Sequence, residues 1–293
     1  MKKFLVATDS GCDLSKQYCI DHDIHILPMK YTSGDKVLTA TMDSDETAEF
    51  YDRMREGDTP KTTQVSPFEF LEFWRGLPKD LPILHIAMGS GISGTYANGV
   101  TAREQFLQEN PGVELYIVDS TLASLAYGLL AIRAAQMRDE GAEVQECIDW
   151  LESVKLTVNA YFTTDDLTYL HRGGRVSKAG AVAGKILGIN PIMKLDHLGR
   201  LVMHTKAHGR KGALKRIMEL IEEKCIDPKG QILYICHAQV DEKERETIAA
   251  AMKERFGFMD VFYTLIGPII GAHTGPGLYS VFFTGKIRTP QGT

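Results

Sequence analysis

Cysteine is sparse and unpaired in spacing. The five in 293 residues (Cys12, Cys19, Cys147, Cys225 and Cys236) form no C-x-x-C. That argues against a disulfide framework or a thiolate zinc site and fits free, reduced thiols, so the cytoplasm is the expected compartment. Aromatic residues reach only 9% and seldom sit among the cations, which argues against a stacking platform for single-stranded nucleic acid. An excess of positive charge is missing too: the formal net charge is −5, and no nucleic-acid partner is expected. Long apolar runs are absent. Phe4–Ala7 stops at Thr8-Asp9, too short for an export signal core. The uncharged stretch 261–285 is broken by Gly267-Pro268, His273 and Gly275-Pro276-Gly277, a poor membrane span. No Walker-type phosphate loop, H-E-x-x-H pair or G-x-S-x-G elbow occurs. No metal site is expected.

What remains is an ordinary globular composition, 44% hydrophobic and 24% charged, long enough for two domains. The first half alternates short apolar runs with helical patterns. Phe4–Thr8, Ile24–Met29, Ile83–Met88 and Glu114–Val118 read as strands. Glu46–Arg55, Pro67–Arg75, Tyr96–Gln108, Leu122–Asp139 and Val144–Val154 read as helices, with Ser66 as N-cap and Pro67 at the first helical position of the second. Such alternation predicts a parallel sheet with helices on both faces, whose ligands gather at the carboxyl ends of strands. The second half predicts a mixed sheet with helices Lys211–Cys225 and Asp241–Arg255 on one face and a hairpin around Asp196–Gly199. The expected class is therefore α/β, with a parallel-sheet domain over 1–155 and a mixed-sheet domain over 156–293.

Four segments could carry chemistry. Gly89-Ser90-Gly91-Ile92-Ser93-Gly94-Thr95 lies between a strand and a helix and offers backbone N–H groups and hydroxyls to an anion. It also matches the G-x-G-x-x-G dinucleotide fingerprint, with Asp119 in the place of the ribose-binding acid. Thr62-Thr63-Gln64-Val65-Ser66-Pro67 is a second hydroxyl cluster before a helix, readable as a cap or as further neutral donors. Neutral donors suit an anion on a greasy tail, because they need less compensation for leaving water than a cation does. Gly267–Gly277 holds six Gly and Pro in eleven positions and reads as a contorted loop around His273. Tyr169–Arg175 reads as a helix end with glycine stop and two free arginines. Ser93, His273 and Asp9 could be drawn as a hydrolase triad, so a nicotinamide-dependent oxidoreductase and a serine hydrolase stay open as alternatives. Between His171 and Arg216 eleven Lys and Arg face one acid, Asp196. This tract is either a dispersed solvated face or a dock for something anionic.

Taken in order, Thr8-Asp9-Ser10, Thr62–Pro67, Gly89–Tyr96, Val118-Asp119-Ser120, Asp166–Ser177 and Gly267–Gly277 resemble the DegV family of bacterial fatty-acid-binding proteins. The likeness runs nearly end to end. Thr63 and Val65 depart from the usual Thr-Ser-Gln-Pro-Ser-Pro, and Gly89 stands where a serine is common. The resemblance implies a long-chain, palmitate-like fatty acid held in a tunnel between or within two α/β domains, and no cofactor. It implies that Thr62 and Ser93 bond the carboxylate, with Thr63, Gly94 and His273 nearby and Arg172, Arg175 and Arg200 at the rim. It also implies a non-enzymatic carrier, similar to the acyl-carrying subunit of fatty acid kinase, whose ATP-dependent partner phosphorylates the bound acid. Leu122–Ile132 and Ala181–Ile189 are candidate tunnel walls, with ordinary core as the alternative for each residue.

Overall fold

The computed structural model describes residues 2–177 and 188–290. Its first half runs β1 (Leu5–Asp9), α1 (Lys16–Asp21), β2 (Ile24–Leu27), β3 (Lys30–Ser33), β4 (Lys36–Thr39), α2 (Ser44–Arg55) and β5 (Lys61–Thr62). It continues with α3 (Pro67–Arg75), β6 (Ile83–Ala87), α4 (Thr95–Glu109), β7 (Leu115–Asp119), α5 (Leu125–Asp139) and α6 (Val144–Val154). The strands β2-β1-β6-β7 form a parallel sheet in that order. All five residues of β1 and of β6 are buried, as expected of strands covered on both faces. Helix α3 starts as its sequence predicts: Ser66 and Glu69 form a reciprocal capping box and Pro67 sits just inside it.

Two features depart from the sequence expectation. The strands β4-β3-β5 form a small antiparallel sheet of their own, pairing Tyr31 with Thr62. Its strands are short and largely polar, so no apolar run announces them. The segment after Leu265 is a helix and not the contorted loop expected. Pro268 opens it, Gly271 lets it close on Tyr51, where a Cβ would lie 2.6 Å from the hydroxyl, and Gly275 at φ +73° ends it. Glycine and proline here serve close packing and termination.

The second half comprises β8 (Val158–Thr163), α7 (Thr168–Arg172), β9 (Ile189–Leu195), β10 (Leu201–His208) and α8 (Gly209–Lys224). Then follow β11 (Leu233–His237), α9 (Glu242–Phe256), β12 (Val261–Leu265), α10 (Pro268–Thr274) and β13 (Tyr279–Thr284). The sheet order is β10-β9-β8-β13-β11-β12, and only β11 and β12 run parallel. Register separates its two faces. Tyr161, Val281, Phe283 and Ile235 pack under α8 and α9 in one core. Ala160, Phe162, Ser280 and Phe282, directly paired as 160 with 282 and 162 with 280, point to the other side, toward the first half. The uncharged stretch 261–285 is thus strand, short helix and strand, and among the described residues no helix is long and apolar enough to cross a membrane.

A buried carboxyl links the halves. Asp13 accepts from the Gly267 backbone N–H at 2.9 Å and from the Ser124 hydroxyl at 2.5 Å, and its carbonyl accepts from Thr264 Oγ1 at 2.7 Å. Burial outweighs these bonds and raises its pKa from 3.8 to about 7. Between those values the folded protein keeps a proton that the unfolded chain has released. This group's stabilisation is therefore full below the unfolded pKa and is lost as pH climbs through about 7. Asp13→Asn removes the titration. Its melting temperature relative to the parent is expected to rise between about pH 4 and about pH 7 and to level off above, and a flat difference across a calorimetric pH series would refute the assignment.

Candidate functional site

The face of the second sheet that looks toward the first half walls an apolar cavity of ≈ 230 Å³. Phe162 and Phe282 come from that sheet, Met29 and Met88 follow β2 and β6, and Ile269 and Ile270 come from α10. Of its nine polar lining residues, Ser124, Thr274 and Ser280 spend their hydroxyl protons inside the protein, and the other six are Thr62, Thr63, Gln64, Ser93, Arg175 and His273. They form a closed ring. The Arg175 guanidinium donates to the Ile92 carbonyl at 3.1 Å and to that of Gly173. Gly173 lies so close to His273 that a Cβ would sit 2.0 Å from Nδ1. His273 Nε2 meets Thr62 Oγ1 at 2.7 Å. From Thr62 the chain leads to Gln64, whose side chain rests on Gly94, next to Ser93.

The electrostatics of the ring are those of a neutral site with one cation at its edge. Burial, helped by the Arg175 charge, lowers the His273 pKa to about 4, so its imidazole is neutral at pH 7. Burial also lowers that of Arg175. Ser93 Oγ donates to Thr95 Oγ1 at 2.9 Å and accepts from the Thr95 N–H at 3.2 Å, which fixes its rotamer at the start of α4. Deeper polar atoms are occupied. The Ser124 hydroxyl donates to Asp13 and that of Ser280 to the Cys236 carbonyl at 3.0 Å, so neither presents a bare donor to an apolar guest.

The structure brings together Thr62, Thr63, Ser93, His273 and Arg175 around one cavity. Gly94 lies behind the lining, where its missing side chain makes room for Gln64, a lining residue of the Thr62–Pro67 segment that its hydroxyl neighbours overshadowed. Arg172 stands exposed over the Tyr169 ring, 5.8 Å from its centroid. Arg200 lines an adjoining cleft with Gly91, Gly174 and Arg175. Of the expected tunnel walls, Ala123 and Ser124 line the cavity, while Leu125–Ala131 belong to the core. Residues 181–187 of the other expected wall lie outside the described residues. Ile269, Ile270 and His273 were separable from a loop only by their three- and four-residue spacing, which puts them on one side of a helix.

Both alternative chemistries lose their geometry. Asp119 accepts from the Ser90 N–H at 3.0 Å, the Ser90 hydroxyl at 2.5 Å and the Thr121 N–H at 3.0 Å, so its carboxylate shapes the loop instead of facing a ribose. The loop glycines approach protein backbone: a Cβ on Gly91 would lie 2.2 Å from the Leu198 carbonyl oxygen. The drawn triad is not assembled either. Ser93 bonds Thr95, His273 bonds Thr62, and Asp9 is enclosed by the Tyr127 hydroxyl at 2.6 Å and two backbone N–H groups. The basic tract is divided up as well. Arg200 pairs with Asp196, Arg210 with Glu244, and Arg216 with Glu219 and Glu223, whereas Lys178 and Lys185 lie outside the described residues.

Comparison with known proteins gives a consistent answer. The profile of the uncharacterised proteins of the DegV family matches residues 3–286. A DegV domain-containing protein of Clostridium perfringens is 37% identical over 292 residues, covering 99% of this chain and 100% of its own. The crystal structure of DegV from Bacillus subtilis, described as a fatty acid binding protein, superposes with a TM-score of 0.84 at 29% identity, over 98% of this chain and 100% of that one. The fatty acid kinase B3 protein of Streptococcus pneumoniae, loaded with linoleic acid, shares the fold with a TM-score of 0.84 at 17% identity, over 97% of this chain and 100% of its own.

Proposed function

Since the chain belongs to the DegV family, we propose that it carries a long-chain fatty acid, tail in the apolar cavity and carboxylate at the ring of Thr62, Ser93 and His273. The observation that carries this reading is the pairing of an apolar chamber with neutral donors along one continuous rim. With its proton on Nε2, His273 donates to Thr62 Oγ1 and leaves the threonine proton for the ligand. Ser93 supplies a second hydroxyl once its proton turns from Thr95 Oγ1 to the carboxylate, and Arg175 a cation at the edge. The two units, 1–155 and 156–293, hold the acid at their interface.

Energetics divide the labour. Burying a sixteen-carbon tail is worth roughly 0.8 kcal/mol per CH₂, about 10 kcal/mol gross. Association entropy cancels about 4 kcal/mol or more of it. The headgroup bonds keep the carboxylate from being stranded and set its direction. On this reading the protein performs no turnover alone and offers the carboxylate to a separate ATP-dependent kinase. Arg200, exposed in the adjoining cleft, supports that step as a contact for an acidic partner or its phosphate, and Arg172, exposed on α7, is the second cation offered to it. The decisive test is mass spectrometry of the denatured, solvent-extracted protein, which is expected to yield a fatty acid of about C14–C18, since chains of that length bury enough CH₂ groups to survive purification. A protein that is empty and also fails to take up added palmitate refutes the carrier role.

A further inference from the structure

Both lips of the cavity mouth are fastened to one side chain that no motif reading singled out. Arg288 follows β13 and is only 6% exposed. Its guanidinium donates to the carbonyls of Thr121 at 3.1 Å, Asp196 at 2.5 Å and Lys155 at 3.1 Å, and to Thr121 Oγ1 at 2.8 Å. On one side, the Thr121 N–H donates to Asp119, whose carboxylate also holds Ser90 by two bonds and so shapes the loop that carries Ser93. On the other, Asp196, fully buried, holds the Leu198 and Arg200 N–H groups at 2.9 Å each and the Arg200 guanidinium at 2.8 Å. The two lips then meet without a gap: Gly91 lies against Leu198, and Gly199, at φ +74°, against Thr121.

We propose that Arg288 is a positioning residue for headgroup capture: by gripping Thr121 and Asp196 at once it sets the distance between the Ser93 loop and the Arg200 turn. The inference rests on the lipid reading above and adds the device that holds its mouth in register. A planar fork with five donors suits four acceptors spread over three segments, whereas the compact ammonium of lysine cannot span them.

The test separates headgroup from tail by titrating the full chain with palmitate and with hexadecanol, which share a sixteen-carbon chain and differ in charge. Arg288→Lys is expected to weaken palmitate binding about tenfold, the cost of losing directed bonds around a charged group, and to leave hexadecanol affinity unchanged. Thr121→Val, which removes one of the four acceptors, should move palmitate the same way by less, and it serves if the lysine variant does not fold. Arg138→Lys changes another buried guanidinium, bonded to the His22 and Asp23 carbonyls, and should lower the melting temperature without altering the palmitate-to-hexadecanol ratio. If the Arg288 and Thr121 variants keep the parental ratio and only melt earlier, the inference is overturned while the carrier role stands. A parent protein that binds neither ligand overturns both.

Discussion

Replacing Thr62 by Val and Ser93 by Ala together is expected to weaken palmitate binding by two to three orders of magnitude, about 3–4 kcal/mol, from two lost bonds to a charged group at about 1.5–3 kcal/mol each with incomplete additivity. Both changes nearly preserve volume, so the apolar chamber stays intact. What goes, on the carrier reading, is the pair of hydroxyls proposed to replace water around the carboxylate. Thr62→Val has a second effect, because it strands His273 Nε2, whose bonding partner is Thr62 Oγ1. The single Thr62 variant should therefore cost more than Ser93→Ala, since Ser93 leaves behind a Thr95 hydroxyl within 2.9 Å. Calorimetric titration at pH 7 reads both. Unchanged affinity in the double variant would remove these residues from the headgroup site.

The second large effect is expected from a single methyl group. Gly91→Ala places a Cβ 2.2 Å from the Leu198 carbonyl oxygen, 2.6 Å from the Gly199 carbonyl carbon and 2.8 Å from the Arg200 nitrogen. All three are backbone atoms of a tight turn, so no rotamer change relieves the overlap. Overpacking of this kind costs about 1–3 kcal/mol. Here it is relieved by parting the loop from the turn, which opens the mouth. Palmitate dissociation is expected to accelerate roughly ten- to hundredfold, measurable by stopped-flow transfer to lipid vesicles. Gly112→Ala is the informative control: its φ is +94° and it has open space around it, so it carries backbone strain and leaves ligand release alone. Equal release rates for the two variants would show that the contact at Gly91 does not gate the mouth.

Much of this was legible from residue order alone. Alternation of apolar runs and helical patterns marked the parallel sheet, because strands buried on both faces must be apolar throughout. The cap at Ser66 was legible because its chemistry is local. The site was legible as a set of hydroxyl and glycine segments but not as a ring, since Thr62 and His273 lie 211 residues apart and only the packing of α10 against β5 joins them. That helix itself was hidden. Its glycines and prolines signal irregular backbone in isolation, whereas in place they admit Tyr51 and close the helix ends. The β4-β3-β5 sheet left no trace because its pairing rests on main-chain bonds between polar residues. Arg288 had no signature at all: four carbonyl and hydroxyl acceptors on three distant segments cannot be inferred from one arginine.

The two-residue repeat of β8 and β13 has an evolutionary consequence. Side chains 160, 162, 280 and 282 line the chamber, while 161, 281 and 283 pack against α8 and α9. Exchanges in the first set can reshape the chamber for a longer, shorter or bent hydrocarbon without disturbing the helical layer behind. The lining can therefore vary while one scaffold is inherited.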